Sequence, residues 1–167
     1  MNKILLRVVM GTMAALFLFS SRDVSAYASL GQKNQAQTIA PDFSLETIAG
    51  KTVVLKDLKG KGVILFFFTT WCPYCRQKLP LLAKQYQKYQ SDGLELLVTD
   101  VGESRAKVSS FATKEQLPFD ILLDVDMKAS EAYGVLGVPT FILISKDGLV
   151  AYEGNEMPSN YQELLNK

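Results

Sequence analysis

Val63-Ile64-Leu65-Phe66-Phe67-Phe68-Thr69-Thr70-Trp71-Cys72-Pro73-Tyr74-Cys75 is the stretch on which the reading of this chain turns. Val63 to Thr69 is apolar and β-prone without a break, too short for a buried helix and typical of a strand covered on both faces. The run is therefore predicted at the centre of a sheet. Beyond it, Leu79, Leu82, Ala83, Tyr86 and Tyr89 recur at helical spacing, with Arg76, Lys84, Gln85 and Lys88 on the other face. This predicts a helix from about Pro73 to Gln90, with a kink at Pro80, whose ring and missing N–H oppose a straight axis. Gly93 ends the turn and Leu94 to Thr99 reads as a second apolar strand, so strand, helix and strand form a βαβ unit with parallel strands.

The pattern extends in both directions. Phe43 and Leu45 share a face, Gly50-Lys51 turns the chain, and Val53 and Leu55 continue, as in a β-hairpin. Ser104 stands where it can cap a helix through about Glu115; Phe119 to Leu123 resumes extended character, and Lys128 to Tyr133 is a short helical piece. Gly137-Val138-Pro139 then introduces a strand from Thr140 to Ile144. Lys146-Asp147-Gly148 turns it back as Leu149 to Glu153, and Ser159 begins a C-terminal helix. The order predicts one α/β domain with a central mixed β-sheet flanked by helices.

The chain of 167 residues has room for one core. Lys and Arg total 18 against 17 for Asp and Glu, which leaves no surplus to neutralise a phosphate backbone and argues against nucleic acid as a partner. There is no histidine, which excludes a His-dependent catalytic triad and removes the commonest metal ligand. Lys3 and Arg7, the uncharged run Val8 to Phe19, and the small residues Val24-Ser25-Ala26 read as an export signal over residues 1–26, with cleavage after Ala26 or Ala28. The alternative is an uncleaved anchor, although the run is shorter than the roughly 20 residues a spanning helix needs. Contact with a membrane is expected only if that segment is retained. Residues 27–39 read as a polar leader or tether, and residues 40–167 as the folded domain.

Cys72 and Cys75 sit where the buried strand hands over to the helix. Unpaired N–H groups and the helix dipole favour an anion there, so an exposed Cys72 thiol is expected to ionise more readily than free cysteine and to act as nucleophile. Cys75, one turn further in, is expected to be more buried and to stay protonated until a mixed disulfide forms, which it then resolves. Pro73 and Tyr74 stand between the two cysteines, a pair that resembles the one seen in glutaredoxins and is by that resemblance expected to tune the potential. A structural disulfide of this span would restrict the unfolded chain little. Zinc wants four ligands and the chain offers two thiols and no imidazole, so neither a metal nor a cofactor is expected.

Trp71-Cys72-Pro73-Tyr74-Cys75, Pro80, and Val138-Pro139-Thr140 before the late hairpin resemble the active site, helix proline and cis-proline of the thioredoxin superfamily. Ala40-Pro41-Asp42-Phe43-Ser44-Leu45, Lys59-Gly60-Lys61-Gly62-Val63-Ile64-Leu65 and Asp100-Val101-Gly102-Glu103-Ser104 resemble, more closely, the exported TlpA/ResA-type thiol:disulfide reductases. The resemblance runs from about Ala40 to the C-terminus. It implies a thioredoxin-like fold with an N-terminal hairpin and a central insertion over residues 104–127. It also implies a cis peptide before Pro139 and a substrate-binding surface made by Trp71, Val138, Pro139 and Thr140, in which the Val138 backbone lies beside Cys72 and Trp71 forms a lid.

Two departures stand out. Relatives of this type carry glutamate three residues after the second cysteine, where this chain has Lys78, a solvated helix residue on the simplest reading. The buried aspartate that thioredoxin carries six residues before the first cysteine is replaced by Phe66. Glu103 and Asp100 are the substitutes available for proton handling.

The resemblance implies an exported oxidoreductase that reduces disulfides in envelope proteins, apocytochrome c among them, with electrons from an upstream membrane donor. Its potential is expected at roughly −200 to −270 mV, between the glutaredoxin and thioredoxin ranges. A disulfide-forming oxidant of similar fold remains an alternative. So does a peroxiredoxin-like peroxidase, although Leu65 stands where that motif carries proline. A non-enzymatic module that binds Cu(I) or a partner is a third.

Overall fold

The computed structural model describes residues 38–166; the segment read as an export signal and most of the stretch read as a polar leader, residues 1–37, lie outside the described residues. Seven strands make one sheet. β1 (Ser44–Thr47) and β2 (Thr52–Val54) form the expected hairpin, β3 (Gly62–Phe68) is the apolar run, and β4 (Leu94–Val101), β5 (Ile121–Asp124), β6 (Thr140–Ile144) and β7 (Val150–Gly154) complete the set. Among the described residues the α-helices are α1 (Pro73–Ser91), α2 (Arg105–Lys114), α3 (Lys128–Ala132) and α4 (Tyr161–Leu165). The strand order is β2-β1-β5-β4-β3-β6-β7.

β3 lies between a parallel neighbour, β4, and an antiparallel one, β6, and all seven of its residues are buried. Its unbroken hydrophobicity follows from being covered on both sides. Ile64, Phe66 and Phe68 point into a layer shared with Leu79, Leu82 and Tyr89 of α1, Val108 of α2 and Leu165 of α4. Val63, Leu65 and Phe67 point the other way, toward Phe43, Leu55 and Tyr133. Each buried phenylalanine contributes roughly 1.5–3 kcal/mol of transfer free energy. Gly62 opens β3 because a Cβ there would come within 2.9 Å of both the Leu165 Cβ and Leu94 Cδ2. The missing side chain lets α4 close over the start of the strand.

The stretch read as a central insertion supplies α2 and β5, and β5 carries the hairpin. Glu46 pairs with Leu123 and Thr47 with Leu122, so β1 joins the main sheet only through β5. Thr38 to Ala40 already belong to the fold, since Val150 N–H donates to Thr38 O and Ala40 N–H to Gly148 O, each at 2.9 Å.

Pro80 lies within α1 without ending it. Ser104 occupies the N-cap position of α2, but its side chain makes no capping hydrogen bond. The last helix starts at Tyr161 behind Asn160 rather than at Ser159; Tyr161 N–H donates back to Pro158 O, so Ser159 is spent in a turn.

Candidate active site

β3 runs straight into the dithiol. Thr69 O accepts from Cys72 N–H at 3.3 Å, and Cys72 is the N-cap of α1, with Pro73 in its first turn, where a missing N–H is no loss. Cys75 N–H points back at the Cys72 sulfur at 3.3 Å, so one of the free amides of the helix start is aimed at Sγ. The cysteines are free thiols.

Cys72 was expected to be exposed and is not: it is 4% accessible, and Cys75 is 0%. The cause is the loop before β6. The Val138-Pro139 peptide is cis, and it sets Val138 O 3.6 Å from the Cys72 sulfur, which donates to it. That carbonyl lies 66 positions along the chain from Cys72, yet it roofs the thiol. Burial, followed by a hydrogen bond and charge from Cys72, pushes the Cys75 thiol up to about 12. The two sulfurs are therefore unequal, with Cys75 held firmly as a thiol beneath Cys72.

Trp71, next to Cys72 in the chain, is 67% exposed, and Tyr74 and Leu136 are exposed apolar side chains as well. Thr140 turns inward and donates to Gly137 O at 2.7 Å, so it shapes the Val138 loop from beneath instead of facing solvent.

Lys78 is neither aimed at the dithiol nor simply solvated. It forms an ion pair with Glu156, in the segment after β7, with its own side chain mostly covered. Arg76 is likewise engaged, donating to Glu115 at 3.1 Å and lying over the Phe111 ring. Neither cation of the first helical turns is paired with a sulfur. Because Glu156 is largely exposed, the pair is worth no more than about 1 kcal/mol. Lys78→Ala is accordingly expected to lower stability by less than about 1 kcal/mol in urea unfolding and to leave the exchange rate close to wild type.

Asp100 and Glu103 are both buried below the loop that carries Cys72. Glu103 accepts from Thr70 N–H at 2.6 Å and from Thr70 Oγ1 at 3.0 Å, and it pairs with Lys107. Asp100 accepts from Glu103 N–H at 3.2 Å. Burial, and then the neighbouring Glu103 carboxylate, push the Asp100 carboxyl up to about 8. Burial works in the same direction on Glu103, but contacts from Asp100, Lys107 and Thr70 outweigh it and hold that carboxyl below its ordinary range. The Thr70 contacts escaped the sequence reading, since a hydroxyl and an amide 33 positions from a glutamate leave no local signal. At the position where thioredoxin has its aspartate, the Phe66 ring packs 4.6 Å from that of Phe141.

Residues 36–153 match the family model described as AhpC/TSA family. The chain is 33% identical over 171 residues to the thiol-disulfide oxidoreductase ResA of Bacillus cereus, an alignment covering 99% of this chain and 96% of that one. Among solved structures it resembles StoA from Bacillus subtilis, with a TM-score of 0.65 and 26% identity over 75% of this chain and 97% of that one. It also resembles a secreted disulfide oxidoreductase of Mycobacterium tuberculosis, with a TM-score of 0.62 and 26% identity over 70% and 84% of the two chains. With a thioredoxin-like fold, a dithiol at a helix mouth and relatives of this kind, the chain belongs to the AhpC/TSA family and, within it, is a thiol-disulfide oxidoreductase of the ResA type.

Proposed function

We propose that this protein is an exported reductase that opens disulfides in envelope proteins, with Cys72 as nucleophile and Cys75 as resolving thiol. The observation that carries the reading is the inequality of the two sulfurs: Cys72 receives the Cys75 N–H, while Cys75 is held as a thiol by its burial. The Cys72 thiolate attacks one sulfur of a partner disulfide, a mixed disulfide forms, and the partner's other sulfur leaves as thiolate and takes up a proton. Cys75 then gives up its proton and attacks the Cys72 sulfur, closing the internal disulfide and releasing the second partner thiol. Two electrons pass to the partner, and an upstream membrane donor must return them.

Direction is supported by what surrounds the pair. A strongly stabilised thiolate makes a dithiol oxidising, and the nearby cations Arg76 and Lys78 are occupied by Glu115 and Glu156 instead. An extended partner segment fits alongside Val138, whose backbone is already within reach of Cys72, with Trp71, Tyr74 and the loop to Thr140 as its walls. A segment holding two closely spaced cysteines, as in apocytochrome c, suits such a groove. The charged start and apolar run of residues 1–26 support export, and no helix among the described residues is long and apolar enough to cross a membrane.

Trapping tests the reading. A Cys75→Ser variant produced in the native host is expected to retain envelope proteins as mixed disulfides through Cys72, released by dithiothreitol and identified by mass spectrometry. Recovery of no thiol-linked partner would count against an exchange enzyme. A measured potential of roughly −200 to −270 mV agrees with reduction, whereas one above about −150 mV makes the protein an oxidant.

A further inference from the structure

Asp100 presents a problem that the dithiol chemistry does not use. It pairs in register with Phe68 on β3 and Leu123 on β5, so its side chain points into the layer that those two residues share with Cys72, Cys75 and α1. Its side chain is fully buried, Oδ1 accepts from Glu103 N–H, and Oδ2 has no hydrogen-bond partner. A carboxylate oxygen abandoned in such a layer is costly. Its nearest acid, Glu103, lies within hydrogen-bonding reach and is already committed to Thr70 and Lys107. Two ionised carboxylates in that arrangement repel, and a proton on Asp100 removes the conflict by making Oδ2 a donor to Glu103.

We propose that Asp100 and Glu103 share one proton and together position the loop that carries the nucleophile, Glu103 by gripping Thr70 and Asp100 by neutralising that grip. Glu103 holds both the amide and the hydroxyl of Thr70. The residue before it, Thr69, accepts the Cys72 N–H, so the grip sets where Cys72 stands beneath Val138. The charge of Lys107 opposes the rise at Asp100 but is outweighed by burial and by Glu103. Lys107 on α2 is committed to Glu103, and the titratable groups that α1 brings to this layer are Cys75 and Tyr89, with Tyr86 packed against its edge. Asp124 of β5 points to the opposite face and accepts from the Ala129 and Ser130 N–H groups. When Asp100 gives its proton to solvent base, the paired carboxylates separate, Glu103 loosens from Thr70, and Cys72 loses its place. Both residues are positioning residues, and the inference rests on Cys72 being the nucleophile.

The test is a pH profile joined to a direct titration. Reduction of insulin disulfides by the reduced protein is followed between pH 6 and 10 for wild type and Asp100→Asn, the amide supplying a donor that cannot ionise. The wild-type rate is expected to fall by at least about threefold above an inflection near the Asp100 value of about 8, whereas the variant rate keeps rising to a plateau. A variant that retains the inflection overturns the proposal. In wild-type protein with ¹³C-labelled aspartate, the Asp100 carboxyl is expected to titrate near pH 8. A midpoint below about 5, in the ordinary range, also overturns it. The titration involves no cysteine chemistry, so it stands or falls independently of the role given to Cys72.

Discussion

Cys72→Ser is expected to lose thiol–disulfide exchange by roughly 10³-fold or more, the scale on which an enzyme loses its nucleophile. The remaining thiol cannot take over. Cys75 is 0% accessible, and burial, the largest cause of its raised value of about 12, survives the substitution. In single-cysteine proteins at pH 8, iodoacetamide is therefore expected to modify the protein that keeps Cys72 and to spare the one that keeps Cys75. Equal labelling of both would mean that the two sulfurs are interchangeable and would overturn the assignment of Cys72 as nucleophile. Denaturing the Cys72→Ser protein should restore labelling of Cys75, showing that the protection comes from the fold and not from the local sequence.

The second large effect concerns the strand beneath the site. Phe66 is fully buried, stacks 6.1 Å from Phe68 and packs 4.6 Å from Phe141. Phe66→Ala removes a ring that both flanking strands and α1 enclose, and it is expected to destabilise by about 3–5 kcal/mol through lost transfer free energy and the cavity left behind. For a domain of this size that corresponds to a fall in Tm of roughly 10–20 °C, read by calorimetry. Exchange by the fraction still folded should be nearly normal, because Phe66 touches the chemistry only through the position of β3. A change of less than about 1 kcal/mol would show that the layer relaxes around the gap.

Phe66 also marks a redistribution of polarity. Thioredoxin keeps its buried acid on the strand that leads into the dithiol; here that strand is wholly apolar, and the acid, Asp100, enters the same layer from β4. Sequence reading reached Asp100 and Glu103 through the family-like motif Asp100 to Ser104, as substitutes for the acids missing at Lys78 and Phe66. It had no access to their partners. Lys78 is a similar case, since its pattern on α1 is that of a solvated residue, and its pairing with Glu156 depends on how β7 leaves the sheet.

The chain's periodicities alone set the order of strands and helices, because an apolar run of β3's length must be covered on both faces and a spacing near 3.6 must bury one side of α1. Placing the dithiol at a helix mouth needed nothing more than its adjacency to that run. Tertiary structure decided the burial of Cys72 under Val138, the grip of Glu103 on Thr70 and the neutralisation of Lys78, each made between residues 66, 33 and 78 positions apart. Local patterns record which face of an element turns inward. They do not record which side chain from a distant element will be waiting there, and the chemistry of this site depends on those meetings.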